Sequence, residues 1–244
     1  MAQRTVIFIA GVAIYLVFLL TNLYAIGFLA NLLVPKGIDD GALAPPGIAI
    51  LINIALIALF GVQHSLMARP AFKARWTRWV HPSLERSIFV LCSSLALLLL
   101  FWQWLPLPDY VWNIQNGFMN IALNIFFWLG WIGVAVSTFL IDHFDLFGLR
   151  QVYLHLRGRK YTAVPFQKPA LYNYIRHPMM LAFLVAFWST PQMSVGRLLF
   201  AAGMTAVILI GIAFEERDLR KAHGEVYDRY RRQVSMLLPM PRRK

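Results

Sequence analysis

Apolar stretches long enough to cross a hydrocarbon layer recur along this chain of 244 residues and leave little sequence from which to build anything else. Five of them, at 6–34, 47–67, 87–105, 118–141 and 195–214, meet the length of about 20 residues that a helical crossing needs. A sixth, at 179–190, ends at Pro191 and is short for a straight crossing, so it is expected to be tilted, interfacial or re-entrant. Backbone polar groups in hydrocarbon have to be satisfied within the segment itself, which selects helices. The expected fold is therefore all-α: a polytopic integral-membrane helix bundle, one membrane domain over 1–244, with about six crossings of which one is short. Composition agrees, because only 14% of residues are charged, against about 25% in soluble domains.

The formal charge of +12 invites a nucleic-acid reading, but its placement argues against one. All but Lys36 and Arg197 of the 23 Lys and Arg residues fall on one side if six crossings are counted with both termini on that side. That is the pattern of a cytoplasmic membrane face, and no base-stacking module accompanies it. The expected setting is an inner membrane with both termini cytoplasmic and a lipid bilayer as the surrounding partner. The first run lacks a small-residue cleavage site and reads as a retained span. Cys92 is the sole cysteine and lies in an apolar run, so it reads as a small packed side chain with no disulfide to make.

Polar chemistry concentrates on the basic side. Tyr172, Arg176, His177 and Pro178 precede the short run, and Glu215 and Glu216 close the last one, followed by Gly224, Tyr227, Tyr230 and Pro239. Ionisable groups beside hydrocarbon are costly, so they default to a functional reading. Proline suits the first helical turn and its predecessor avoids helical angles, which places His177 at a helix cap. The insertion 142–178 continues polar from the fourth run, through Asp142, His143 and Asp145. If the helix continued there, the two aspartates would share a face. Glu215 and Glu216 read either as an ion-paired helix exit or as one carboxylate turned toward a cationic ligand, with its neighbour pointing about 100° away. His64 reads as facing a cavity or as satisfied by a neighbouring helix. No metal site is expected, since His143, His155 and His177 lack partners at ligand spacing.

Arg176-His177-Pro178 ahead of a hydrophobic hairpin, then Glu215-Glu216 with Gly224, Tyr227, Tyr230 and Pro239, resembles the isoprenylcysteine and phospholipid methyltransferase superfamily of membrane enzymes. Over a longer span the runs beginning at Gln63-His64-Ser65 and Asp142-His143-Phe144, together with Tyr172 to Pro178, resemble the membrane-bound methanethiol S-methyltransferases. Nitrite-reductase-associated membrane proteins are similar in the first and last of these runs. The resemblance implies S-adenosyl-L-methionine as cofactor and a small thiol as substrate, methanethiol becoming dimethyl sulfide. It further implies that the insertion 142–178 and the tail 215–244 form the cofactor region, with contacts at Gln151, Pro165, Phe166, Gln167, Tyr172, Arg176, His177, Pro178, Met180 and Glu215. Met180 stands where the superfamily often has a tyrosine. His143, Asp145 and His64 are the candidate bases for the thiol proton.

Three other functions fit parts of this pattern. A prenylcysteine or phospholipid methyltransferase would want an arginine shortly before Glu215, where residues 210–214 are uncharged. A sterol-type reductase would need a basic pocket for the NADPH phosphate, and a non-enzymatic membrane partner would need no cofactor. The charge bias predicts that reporter fusions at Arg78, Lys168 and Lys244 register as cytoplasmic and those at Lys36 and Asp109 as external. An external Lys244 would mean that the short run does not cross.

Overall fold

The computed structural model describes residues 1–163 and 169–239. In chain order the helices are α1 (Ala2–Ala30), α2 (Pro46–Met67), α3 (Pro70–Trp76), α4 (Glu85–Gln103), α5 (Phe118–Ile141), α6 (His143–Leu146), α7 (Leu149–Leu156), α8 (Pro178–Trp188), α9 (Val195–His223) and α10 (Glu225–Gln233). Two short strands, β1 (Tyr110–Asn113) and β2 (Gln192–Ser194), pair antiparallel. Five of these helical segments have the length and apolarity of membrane spans, and α8 is a shorter apolar helix. Leu20, Ile132 and Phe139 are 65%, 56% and 63% exposed along α1 and α5. Such outward apolar faces suit lipid, not water. The all-α membrane bundle read from the sequence is what the chain adopts.

The chain divides into two compact units, Met1–Leu107 with Asp142–Pro165, and Pro108–Ile141 with Phe166–Lys244. In the first, α1 and α2 both pack on α4, and α7 packs on α1. Polar side chains close this unit where α4 runs out. Asn53 is fully buried, donating to the Leu105 carbonyl at 2.8 Å and accepting from the Leu105 N–H at 3.0 Å. The Lys36 ammonium donates to the carbonyls of Trp102 and Trp104 at 2.6 and 2.8 Å, taking up acceptors that a helix end leaves open.

In the second unit α5 and α8 make the most extensive helix contact. Small residues allow it: a Cβ on Gly130 would lie 2.6 Å from the Ala186 nitrogen and 2.9 Å from the Ala182 carbonyl oxygen. Close backbone approach of this kind replaces the hydrophobic driving force that lipid removes. α8 has only 11 residues, about 16 Å of rise. The chain then runs extended into β2, whose backbone is satisfied by β1, with Trp112 adding a bond to the Thr190 carbonyl at 3.0 Å. Non-helical backbone at depth is tolerated when another strand pairs it. Ser194 turns the chain by capping α9, accepting from the Arg197 N–H at 3.1 Å. α9 then returns to the level of His177, where Glu216 meets it. From Val195 to Glu216 the rise is about 31 Å, close to a hydrocarbon thickness. The short run thus joins the same two levels as α9, half as helix and half as paired extended chain.

Gly130→Ala should lower the thermal unfolding midpoint of detergent-purified protein, at a cost of about 1–3 kcal/mol for overpacking. Gly211→Ala, whose Cβ would meet nothing within 4 Å, should leave it unchanged or raise it, since alanine is the better helix former by about 1 kcal/mol. Equal effects in the two variants would remove the tight α5–α8 contact from the account.

Candidate active site

The second unit gathers the Arg176, His177 and glutamate motif around one buried carboxylate. Arg176 and His177 are 7% and 6% exposed, and Glu216 is 8% exposed. The Arg176 guanidinium donates from Nε to Glu216 Oε1 at 2.7 Å, and from Nη1 to the carbonyls of Arg231 (3.1 Å) and Val234. His177 Nε2 meets the same Glu216 oxygen at 3.2 Å, and Arg231 reaches Oε2 at 3.2 Å. The segment is laced to the tail by backbone as well: the Arg176 and His177 N–H groups donate to the carbonyls of Ser235 and Met236 at 2.8 and 3.1 Å. Gly224 makes this return possible. It ends α9 at φ 52°, a left-handed angle that glycine takes without penalty, and starts α10. Tyr227 and Tyr230 then lie three apart on one face and bury together with Val234. The Tyr230 hydroxyl donates to the Tyr172 carbonyl at 2.7 Å.

Sequence reasoning put its weight on Glu215, but the carboxylate that this unit buries is Glu216. Glu215 has a half-exposed side chain, 3.6 Å from His177 Nδ1. His177 caps α8 with Pro178 at the first helical position, as expected. Met180 follows in the first turn, partly exposed. Burial, then the charge of Glu215, then Tyr230 push the Tyr172 phenol well above its ordinary value, so it stays a neutral donor. Burial likewise pushes Tyr230 up to about 12. Through Nε and Nη1 Arg176 ties the carboxylate to the tail. Glu215, though near His177, keeps half its side chain exposed, and its charge is felt by the Tyr172 phenol. That pair suits a ligand bearing both a cation and hydroxyls.

In the first unit the helix does not continue into the aspartates. α5 stops at Ile141, Asp142 is extended, and its side chain accepts from the Asp145 N–H at 3.0 Å to start α6. The two acids therefore do not share a helical face: Asp142 is a cap. Asp145 accepts from Arg150 at 2.9 Å, from the Gln151 amide at 3.3 Å and from the Tyr161 hydroxyl at 3.2 Å. Three donors hold this carboxylate in place and leave about one of its four acceptor sites open. Gln151 Oε1 is buried with no hydrogen-bond partner. Gly148 sits at φ 88° where a Cβ would come within 2.8 Å of the Ser87 nitrogen, so α7 can start only from a glycine.

His143 is buried and its Nε2 lies 2.6 Å from the Tyr15 hydroxyl of α1. Its ring sits edge-on to those of Tyr15, Phe144 and Phe147. Burial lowers its pKa below the ordinary imidazole value, the charge of Asp142 opposing that shift. His64 is held inside the bundle, its Nδ1 3.1 Å from the Ser93 hydroxyl and its ring between Phe60 and Phe89. It is the neighbouring helix that satisfies it. Pro165, Phe166 and Gln167 lie outside the described residues. Among the described residues no three His, Cys, Asp or Glu side chains are placed to hold a metal ion. Tyr15 was not singled out from sequence, although a phenol inside an apolar run is a visible signal.

Fold and site together define a polytopic membrane protein whose polar, ionisable groups cluster at the ends of its spans. The chain is 53% identical to the methanethiol S-methyltransferase of Mycobacterium tuberculosis over 99% of both chains. It is 49% identical to that of Crocosphaera subtropica, over 97% of this chain and 93% of the relative. Nurim of Mus musculus is 30% identical over 71% of this chain and 69% of its own. No protein-family model matches the chain and no solved structure is significantly similar to it. The chain belongs to the methanethiol S-methyltransferase family.

Replacing Glu216 with Gln should destabilise the protein by about 3–5 kcal/mol, because it leaves the Arg176 charge buried without its partner. Glu215→Gln should shift stability by less than about 1 kcal/mol, as expected for an exposed charge. Thermal unfolding in detergent reads both, and equal losses would deny the division of labour between the two carboxylates.

Proposed function

We propose that this chain transfers a methyl group from S-adenosylmethionine to methanethiol, releasing dimethyl sulfide, at the inner face of a bacterial membrane with both termini cytoplasmic. The observation that carries the reading is near-full-length similarity to proteins named for that reaction. The uncharged approach to Glu215 at residues 210–214 also speaks for a small neutral acceptor over a carboxylate one.

The residues present fit the proposed cofactor. When bound, it supplies an electrophilic methyl on a cationic sulfur, along with an ammonium and ribose hydroxyls. Glu215 is the acceptor for a cation or hydroxyl, Tyr172 is the neutral donor beside it, and Met180 offers apolar contact. Arg176, His177 and Pro178 position these groups, because the Glu216 cluster fixes where α8 begins relative to the tail. Gln151, Pro165, Phe166 and Gln167 complete the proposed contacts.

Of the three candidate bases we take His143. Asp145 already accepts from Arg150, Gln151 and Tyr161, and His64 is held by Ser93 within a span. Burial holds the His143 pKa below the ordinary imidazole value, which favours the neutral form that a base needs. In the proposed reaction His143 would take the thiol proton, directly or through the Tyr15 hydroxyl, and the thiol sulfur would accept the methyl group that the bound cofactor supplies. Atoms and charge balance: methanethiol and the cation yield dimethyl sulfide, S-adenosylhomocysteine and one proton.

Headspace gas chromatography of purified protein with both substrates should detect dimethyl sulfide. Glu215→Ala should weaken S-adenosylhomocysteine binding by about 10- to 100-fold, the worth of one charge-assisted hydrogen bond. His143→Ala should keep that affinity and lose rate. With His143 present the rate should rise with pH only below about 6.5 and then level off, because its neutral form is the base. Without it the rate should keep climbing toward the thiol's own ionisation. Tight homocysteine-product binding with no dimethyl sulfide formed would overturn the substrate.

A further inference from the structure

The first unit holds a cavity of about 660 Å³; Asp145 and Gln151 line one part of it, and the proposed reaction assigns no role to its basic remainder. It is walled by α3 and the turn after it, the start of α4, α6, α7 and the segment following α7. Six of its lining side chains are basic or can become so: Lys73, His81, Arg86, His155, Arg159 and Lys160. Two acids also line it, but both are engaged. Glu85 pairs with Lys73 at 3.6 Å and Asp145 with Arg150 at 2.9 Å. Arg159 and Lys160 have no carboxylate partner among the described residues. The His81 and His155 rings lie 4.5 Å apart with no acid between them. Burial, then His81, then Arg4 hold His155 below the ordinary imidazole value.

From this lining we infer that the cavity is a binding site for the phosphate of an anionic membrane lipid. A cavity of this size lies within the range of built ligand sites, about 300–1,000 Å³. Its excess of cations, with the hydroxyl of Ser83 beside His81 at 2.8 Å, suits a phosphate oxyanion. Location favours a lipid over a free ion. The cavity lies at span ends, where headgroups are, and basic pockets there recruit anionic headgroups. Trp79, in the chain between the lining residues Thr77 and His81, is 88% exposed. An indole left that bare suits the headgroup layer.

The test uses the full chain purified in dodecyl maltoside and supplied, at fixed ionic strength, with palmitoyl-oleoyl phosphatidylglycerol, palmitoyl-oleoyl phosphatidylcholine or inorganic phosphate. Native mass spectrometry counts bound lipid, and titrated thermal shifts give relative affinity. Phosphatidylglycerol should bind at least about ten-fold tighter than phosphatidylcholine, whose choline ammonium the basic rim repels. The double variant Arg159→Glu/Lys160→Glu should lose that preference. Lys221→Glu/Arg229→Glu, an equal charge change on α9 and α10, should keep it. Loss in both double variants alike would reduce the effect to total charge and overturn the site. Stabilisation by inorganic phosphate without any preference for phosphatidylglycerol would overturn the lipid. S-Adenosylhomocysteine titrated into the same samples separates this site from the proposed reaction. Its affinity should hold within about two-fold in Arg159→Glu/Lys160→Glu, and loss of both ligands together would make the basic rim part of the cofactor site and overturn the inference. A wild type that selects phosphatidylglycerol yet binds no S-adenosylhomocysteine would sink the methyl-transfer reading alone.

Discussion

The second unit depends on one buried carboxylate. Glu216 holds Arg176, His177 and Arg231 together where α8 begins, about two turns before α9 ends. Taking charges out of water costs several kcal/mol per ion, and attraction offsets this only when the geometry is good and the remaining donors are satisfied. Both conditions are met here, since Arg176 also serves two backbone carbonyls. The result is that a tail rich in arginine folds back onto a membrane-embedded hairpin instead of trailing from it. Glu215, one residue earlier, is then left half-exposed with a neutral Tyr172 close by. The ion cluster thus consumes one carboxylate of the pair and leaves the other at the surface.

Depth in the membrane is set differently. α5 and α8 approach through Gly130 and Ala186, and an 11-residue helix covers only half the needed height. Extended chain paired to β1 makes up the remainder and brings the backbone to Ser194, where α9 starts. Both terminal levels of the hairpin are thus defined by polar bonds, Ser194 at one and Glu216 at the other, with apolar packing between them. Few polar bonds are needed because hydrocarbon penalises any alternative pairing.

The first unit carries the opposite electrostatics. Its aspartates and glutamate are taken up locally, Asp142 as a helix cap and Asp145 as an acceptor of three hydrogen bonds, so cations predominate around the cavity. His143 stands apart from that basic zone in an aromatic setting with Tyr15.

Much of this was legible in the residues alone. Run length and polarity determine that the chain is a helical membrane bundle, because lipid leaves backbone no other way to bond, and the bias of Lys and Arg points to its basic face. Pro178 marked the start of α8, since proline lacks an N–H and fits only a first turn. Side-chain partners were not legible. Glu215 and Glu216 differ in sequence by one position, and only the return of the tail through Gly224 decides which of them meets Arg176. The aspartates looked like one helical face until the backbone at Asp142 turned extended. Tyr15 and His143 are 128 residues apart, and nothing local in either run announces the other. Periodicity and composition act over a few residues and so can be read from the chain, whereas which charge is buried and which is left for a ligand depends on contacts that exist only once distant segments have packed.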